Sequence, residues 1–166
     1  MKATTKIFFV LFMLLSPHFC LAQHPDHMTP QQRDDDKRLK EYFTKNKIKA
    51  TKTASGLYYV ITKKGTGENA KPNQQVTINY IGKFLDGRKF DANVDDNFKP
   101  IRPFSFLLGT GTVIKGWDEG VQLLNTGCHA TLYIPSELAY GIQGRGARMP
   151  PNSILVFEVE LVAING

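Results

Sequence analysis

Apolar residues alternate with polar ones in segments throughout residues 57–164, and this period of two constrains the fold more than any other feature. In the last segment, 153–164, Phe157 and Val159 alternate with Glu158 and Glu160. Successive side chains of a β-strand point to opposite faces, so the alternation is typical of strands with one buried face. The predicted strands are 57–62, 75–82, 103–109, 129–135 and 153–164, with a tight turn at Asp86-Gly87.

One short helical repeat interrupts these strands. Ile114, Trp117, Val121 and Leu124 recur at helical spacing, and Asp118 lies in the first turn, where the helix dipole favours an acid. The sequence therefore predicts an α+β fold in which the single apolar face of an antiparallel sheet closes over one short helix. The only tryptophan of the chain lies at the start of this helix, so one face of its ring can form the floor of a cavity.

A second helix is predicted before the strands, over residues 31–47. Leu39, Tyr42 and Phe43 fall on one side of it among charged residues. This apolar stripe is narrow, which predicts a helix that docks on the sheet domain or makes a marginal contact with it. The stripe is too small for a long dimer arm, so we expect a monomer.

The first 22 residues are typical of a secretory signal peptide. Lys2 and Lys6 flank the polar start, an unbroken apolar run follows at 7–15, and Cys20 and Ala22 are small residues placed for cleavage after Ala22. The apolar run is far shorter than the about 20 residues that a transmembrane helix needs, so no membrane span is expected. The chain is therefore predicted to be exported.

If the signal peptide is cleaved after Ala22, the mature protein begins at Gln23. Lipid anchoring at Cys20 is the alternative, but Phe19 is bulky where lipoprotein signals place a small residue. Because two lysines leave with the signal, the net charge falls from +6 to +4, and Cys128 remains as a single cysteine that cannot form an internal disulfide. The basic residues are spread along the chain, which argues against nucleic-acid binding.

The usual motifs of covalent, metal-dependent and nucleotide-dependent chemistry do not occur in the sequence. There is no GxSxG, HExxH or P-loop pattern. Cys128 and His129 are adjacent, and neighbours on a strand point to opposite faces, so we do not expect them to act as nucleophile and base. The sequence predicts a protein without a metal site or a cofactor.

Aromatic residues are the remaining candidates for a site, and they come from separated segments. A hydrophobic core is the simplest interpretation. Two features favour a binding pocket: Tyr80 and Tyr140 carry hydroxyl groups that need partners when buried, and Asp91 follows an aromatic residue at a strand end. The aromatic set consists of Tyr80, Phe90, Phe104, Phe106, Trp117, Tyr140 and Phe157.

Four motifs carry a resemblance to a known family. VTINYIGKFLDGRKFDA, FSFLLGTGTVIKGWDEGV, IPSELAYG and PPNSILVFEVELV resemble, in order, the successive signatures of the FKBP family of peptidyl-prolyl cis–trans isomerases, from about Gly56 to Ile164. The leading segment is similar to that of exported bacterial members. The resemblance implies a twisted antiparallel half-barrel sheet wrapped around one short helix and preceded by an N-terminal helix. It divides the chain into a signal peptide (1–22), a flexible tail with a helical lead-in (23–55) and an isomerase domain (56–166).

The resemblance also implies a pocket for a proline ring. Trp117 would form its floor, Val113 and Ile114 would line its wall and offer backbone groups, Tyr140 would donate a hydrogen bond to the ligand carbonyl, and Asp91 would orient polar groups at the rim. The implied catalytic residues are Tyr80, Phe90, Asp91, Tyr140 and Phe157. The implied substrate-binding residues are Phe104, Val113, Ile114, Trp117, Arg148 and Met149.

The implied activity is rotation about X–Pro bonds in unfolded or exported proteins, without a covalent intermediate, a metal or a cofactor. An aromatic pocket would achieve it by stabilising the twisted amide. The implied partners are unfolded or proline-containing polypeptides and macrolide inhibitors, and the implied location is the periplasm. A binding module or holdase that keeps the pocket but turns over poorly is the alternative class.

Two departures from the family's pattern affect the expected specificity. Arg145 stands where the family often has a histidine, and Arg148 and Met149 stand where two apolar residues are common. The added charge is expected to favour substrates with an acidic or polar residue near the proline.

The loop between Asp91 and Phe104 is longer than in minimal members of the family. This length leaves two candidates for a basic partner of Asp91, which are Arg102 and Lys99.

Overall fold

The computed structural model describes residues 28–165. The predicted signal peptide (1–22), the alternative lipid site at Cys20 and the predicted mature end at Gln23 lie outside these residues. The elements are α1 (Pro30–Asn46), β1 (Thr51–Lys52), β2 (Tyr58–Lys63), β3 (Thr66–Asn69), β4 (Gln75–Phe84), β5 (Lys89–Ala92), β6 (Phe104–Leu107), α2 (Lys115–Gly120), β7 (Asn125–Thr126), β8 (His129–Ile134) and β9 (Leu155–Asn165). Short 3₁₀-helical turns lie at Val121–Leu123, Ser136–Leu138 and Gly141–Gln143.

The main sheet is antiparallel throughout and has the strand order β1-β2-β8-β9-β4. Strands β5 and β6 both pair with the outer edge of β4, at different points along its length. The chain therefore leaves the sheet after β5 and returns to the same edge at β6. Strands β3 and β7 form a separate two-stranded ladder. The predicted α+β fold is confirmed, and each predicted strand is present.

The inner face of the sheet forms the main core against α2. Val76, Ile78 and Tyr80 on β4 are buried on this face, as the alternation predicts. Helix α2 approaches β8 so closely that a Cβ added at Gly116 would lie 2.4 Å from Cγ2 of Ile134. This position therefore requires glycine, and the close approach brings the start of α2 against the middle of the sheet.

The outer face of the sheet carries a second apolar patch, so the prediction of a single apolar face was wrong. Tyr58, Tyr133 and Val156 are buried on this face because α1 covers them with Leu39 and Phe43. The three strands β2, β8 and β9 are neighbours, so their outward-facing apolar residues fall side by side. The narrow stripe of α1 is thus sufficient to dock it on the domain.

The sequence specifies where α1 begins. Thr29 is its N-cap and forms a capping box with Gln32, and Pro30 occupies the first turn, where its missing N–H costs nothing. The helix ends at Asn46, and the C-cap residue Lys47 adopts a left-handed conformation. Within residues 28–165 no helix is both long enough and apolar enough to cross a membrane.

Candidate functional site

An aromatic cluster lies between the sheet and the start of α2, with Trp117 at its base. The centroid of the Trp117 ring lies 4.9 Å from that of Tyr80 and 5.0 Å from that of Phe157, and both contacts are edge-to-face, the geometry that aromatic pairs prefer. Phe104 makes a third edge contact with Trp117 at 5.6 Å. Tyr80, Trp117 and Phe157 are each only 5% exposed, so they form a base that is shielded from water.

Half-buried side chains surround this base. Phe90 contacts Phe157 with ring centroids 5.6 Å apart. Further rim residues come from β6, from the turn before α2 and from the segment after β8, residues 136–152, which we call the flap. These rim residues are Phe104, Val113, Ile114 and Tyr140. Tertiary packing thus joins predicted site residues that lie far apart in the chain.

The Tyr80 hydroxyl donates a hydrogen bond of 2.8 Å to Oδ2 of Asp91. The other carboxylate oxygen, Oδ1, accepts from the Ala92 N–H at 2.9 Å. Among the described residues neither Arg102 nor Lys99 forms an ion pair with Asp91, so its partner is a tyrosine rather than a basic residue. Burial, together with the hydrogen bond to Asp91, raises the pKa of Tyr80 well above its usual range. The hydroxyl therefore remains a donor at neutral pH.

The stability of the fold should fall above about pH 10, because three buried tyrosines resist ionisation in the folded chain. Burial is the largest cause that raises the pKa of Tyr58, Tyr80 and Tyr133, to about 12 for Tyr133. An unfolded tyrosine ionises near pH 10, so its stabilising effect is complete below that pH and is lost as the pH rises through the folded pKa. Denaturant titrations between about pH 8 and 11.5 measure this as a declining free energy of unfolding.

Comparison with Tyr133→Phe isolates the tyrosine contribution, since every other titratable group is the same in the two chains. The variant lacks one ionising group, so its free energy of unfolding should fall less steeply with pH than that of the parent chain, by up to about 1.4 kcal/mol per pH unit. A decline as steep as that of the parent chain would contradict the assignment.

Tyr140 presents its hydroxyl at the rim of the pocket. The hydroxyl oxygen accepts a hydrogen bond of 3.2 Å from Nη1 of Arg145, and the guanidinium lies 5.6 Å from the centroid of the Tyr140 ring. Because Arg145 occupies an acceptor position of this oxygen, the hydroxyl hydrogen is left free to donate elsewhere. This geometry is compatible with the predicted donor role of Tyr140.

The two remaining predicted substrate-binding residues lie on opposite sides of the flap. Arg148 is exposed, and it forms no hydrogen bond through its side chain and no ion pair within residues 28–165. Met149 is only 6% exposed and packs in the main core, while its carbonyl accepts from the Arg145 N–H at 2.8 Å. Arg148 is thus accessible to a ligand, whereas Met149 supports the flap from beneath.

Asn93 is a residue of the site region that sequence reasoning missed. It is 1% exposed, and its Oδ1 accepts from the Tyr80 N–H at 2.7 Å. Its Nδ2 donates to the carbonyls of Ile78 at 2.8 Å and Arg102 at 3.0 Å. Asn93 therefore fixes the backbone at Tyr80 and closes the base of the loop between β5 and β6. An asparagine in a polar loop carries no local signal of this role.

Asp118 is a second residue whose role the sequence did not reveal. Its carboxylate accepts from the N–H groups of Gly109 and Gly111, both at 2.8 Å, and so shapes the turn before α2. The turn leads into Ile114, whose carbonyl accepts from the Trp117 N–H at 2.9 Å. The N–H of Ile114 makes no hydrogen bond within the described residues, so it is available to a ligand carbonyl. The helix-dipole interpretation of Asp118 missed this contact with the glycine turn.

The arrangement suits binding of an apolar ring rather than acid–base or nucleophilic chemistry. The base is aromatic, and two donors, the Tyr140 hydroxyl and the Ile114 N–H, lie at its edge. Cys128 is 1% exposed in the main core, with its sulfur 3.8 Å from the His129 carbonyl. The chain is thus an α+β domain with a buried aromatic cluster between its sheet and its short helix.

Comparison with known proteins identifies the family. The sequence model of the family described as FKBP-type peptidyl-prolyl cis-trans isomerase matches residues 66–162. The chain belongs to this family, and the resemblance inferred from its motifs is confirmed.

Three proteins illustrate the similarity. The chain is 47% identical to a probable FKBP-type peptidyl-prolyl cis-trans isomerase FkpA of Neisseria meningitidis over 126 residues, which cover 76% of this chain and 43% of that protein. It is 48% identical to FK506-binding protein 1A of Aspergillus fumigatus over 95 residues, 57% of this chain and 81% of that protein. A crystal structure of a peptidyl-prolyl cis-trans isomerase from Pseudomonas syringae matches with a TM-score of 0.66 and 30% identity, over 84% of this chain and 99% of that one. The chain spans less than half the length of the FkpA relatives that it matches.

Proposed function

We propose that this chain accelerates the cis–trans isomerisation of X–Pro bonds in unfolded or proline-containing polypeptides. The observation that carries the proposal is the dry base of Tyr80, Trp117 and Phe157, with the hydroxyl of Tyr140 at its rim. Membership of the FKBP-type family supports it. The apolar character of the base supports binding of a proline ring, while the rim offers a donor to the neighbouring carbonyl.

The proposed mechanism is stabilisation of the twisted amide. Rotation about a peptide bond has a barrier of about 18–20 kcal/mol because amide resonance is lost at the transition state. The base would hold the proline ring while the Tyr140 hydroxyl or the Ile114 N–H meets the rotated carbonyl. Contacts that are stronger in the twisted state than in the planar one lower the barrier, and each about 1.4 kcal/mol gives about tenfold in rate.

A protease-coupled assay with proline-containing peptides tests the proposed activity. The chain should raise the rate of the slow cis-to-trans phase, with an efficiency that stays nearly flat between about pH 6 and 8, because no side chain has to change its protonation state. Cys128→Ser should leave the efficiency unchanged. A bell-shaped profile, or loss of activity in this variant, would point instead to acid–base or covalent chemistry.

The flap is proposed to set the preference for the residue beside the proline. Arg148→Leu should shift the ratio of efficiencies on Glu-Pro and Leu-Pro peptides about two- to fivefold toward Leu-Pro, the range expected when an exposed charge pair is removed. Lys63→Leu, an equal loss of charge on β2, is the matched control and should leave the ratio unchanged. If both variants rank the substrates as the parent chain does, the flap charge does not determine specificity.

We propose that the isomerase domain spans 56–166, after a lead-in at 23–55, and that the protein is exported to the periplasm. The sequence of residues 1–22 supports export, and cleavage after Ala22 would leave Gln23 as the first residue. The intact mass of the protein recovered from the periplasm tests this. A diacylated species that begins at Cys20 would replace the proposal with a lipid anchor.

Two further properties follow from the same reasoning. Binding of the macrolide FK506 is proposed because relatives carry the name FK506-binding protein, and competition of the macrolide with proline peptides tests it.

A monomer is proposed because Leu39 and Phe43, the main apolar groups of α1, are already buried against the chain's own sheet. Sedimentation at micromolar concentration tests the monomer.

A further inference from the structure

Asp35 on α1 is a fully buried carboxylate, with 0% of the residue exposed. Its Oδ2 accepts two hydrogen bonds of 2.7 Å, from the backbone N–H and from the hydroxyl of Ser136. Its Oδ1 accepts from Nε2 of Gln31 at 2.8 Å, and the guanidinium of Arg38 lies 3.8 Å away. A buried carboxylate is costly unless it is hydrogen-bonded, so this site is built around its contact with Ser136.

Ser136 is the first residue of the flap and lies four positions before Tyr140. It begins the 3₁₀-helical turn Ser136–Leu138, and its carbonyl accepts from the Ala139 N–H at 3.0 Å. The next residue is also held by α1, because the hydroxyl of Thr29 donates to Oε1 of Glu137 at 2.7 Å. The N-terminal helix and its N-cap therefore hydrogen-bond to the first two residues of the flap.

Docking of α1 does not depend on Asp35 alone. Leu39 and Phe43 bury the apolar stripe of the helix, and Asp36 accepts a hydrogen bond of 2.7 Å from the Tyr58 hydroxyl on β2. Asp36 also binds Lys52. These contacts hold the helix on the sheet without touching the flap, whereas Asp35 connects the helix to the flap. Buried charges add little to net stability compared with apolar groups, which favours a role for Asp35 in fixing a geometry.

We propose that Asp35 is a positioning residue for the pocket: through Ser136 it fixes the first residues of the flap and, with them, the hydroxyl of Tyr140 at the rim of the aromatic base. Helix α1 then positions a segment of the site in addition to packing on the sheet. The inference deepens the proposed isomerase function and rests on it.

The test compares Asp35→Ala with Asp36→Ala in the full chain. The two variants remove neighbouring carboxylates of the same helix, and both should lower the melting temperature. At a temperature where both remain folded, Asp35→Ala should lower kcat/KM on a proline peptide about three- to tenfold, the range expected for residues that act on a site through packed contacts. Asp36→Ala should stay within about twofold of the parent chain.

Hydrogen exchange provides a readout that does not require activity. In Asp35→Ala the amides of Ser136 and Ala139 should exchange faster than in the parent chain. The amides of β9 should change only as far as the global free energy of unfolding of the variant changes. Asp36→Ala should leave the flap amides as they are in the parent chain. If Asp35→Ala does not fold, Ser136→Ala serves instead, since it removes one of the two donors and keeps the backbone N–H. It should give a smaller loss of kcat/KM in the same direction.

A double-mutant cycle completes the test. Because both residues act through one contact, the loss in Asp35→Ala/Ser136→Ala should be less than the product of the single losses. Equal efficiencies and equal flap exchange in Asp35→Ala and Asp36→Ala would overturn the positioning role and leave Asp35 as a stabilising contact. A parent chain that does not accelerate isomerisation would instead refute the proposed function, and the exchange data would still report on the contact between helix and flap.

Discussion

Trp117→Ala should lower the efficiency on proline peptides about a hundredfold and reduce the free energy of unfolding by about 3–5 kcal/mol. The indole is 5% exposed and forms the centre of the aromatic base, in edge contact with Tyr80, Phe104 and Phe157. Removing it leaves a cavity and admits water beneath the position of the proline ring. Steady-state kinetics with the folded fraction determined by denaturant titration measure both effects.

Leu161→Ala is the control that separates lost catalysis from lost stability. Leu161 is fully buried on β9, two inward-facing positions beyond Phe157. Its truncation should cost about 2–5 kcal/mol of stability while leaving the efficiency of the folded protein unchanged. If Trp117→Ala kept its efficiency once the unfolded fraction was subtracted, the aromatic base would not be the site of catalysis.

Gly144→Ala should lower the efficiency about tenfold or more by displacing the flap. Gly144 has φ 62 and ψ −157, a backbone conformation that is essentially restricted to glycine and costs other residues about 1–3 kcal/mol. An added Cβ would also lie 2.3 Å from the carbonyl oxygen of Met149 and 2.9 Å from the backbone of Pro150. These are backbone atoms that cannot rotate away, so the flap that carries Tyr140 has to move.

Gly146→Ala provides the matched control within the same flap. Gly146 also has a positive φ, of 67, but no heavy atom lies within 4 Å of an added Cβ. The variant should lose some stability from backbone strain and keep its efficiency within about twofold. Equal losses of efficiency in the two variants would attribute the effect to the backbone strain that both share, and an unchanged efficiency in Gly144→Ala would show that the position of the flap does not limit the activity.

Local pattern was enough to predict the elements of the sheet and of its short helix. The period of two in 75–82 placed Val76, Ile78 and Tyr80 on one face, and the structure buries all three. The helical spacing around Trp117 and the glycine turn at residue 87 were equally local, since each depends on residues only a few positions apart. Short-range periodicity decides these features because it determines which side chains share a face.

The members of the aromatic cluster could be predicted from the sequence, but the geometry that joins them could not. Separated aromatics and a family resemblance point to Tyr80, Trp117 and Phe157, and the sequence offers two basic residues as partners of Asp91. In the structure Asp91 instead accepts a hydrogen bond from the Tyr80 hydroxyl. The choice follows from the register of β5 on β4, which no local pattern of the sequence specifies.

Local sequence patterns are sufficient to predict the strands, the short helix, the inner apolar face and the aromatic residues that cluster there. The packing of distant elements is needed to show that α1 covers a second apolar face and that Asp35 reaches Ser136, a contact across 101 positions of the chain. It also decided that Asn93 and Asp118 hold the loops of the site. The physical reason is that apolar burial is read from periodicity within one element, whereas a buried polar side chain is stabilised by whichever donor the packing of distant elements brings within about 3 Å.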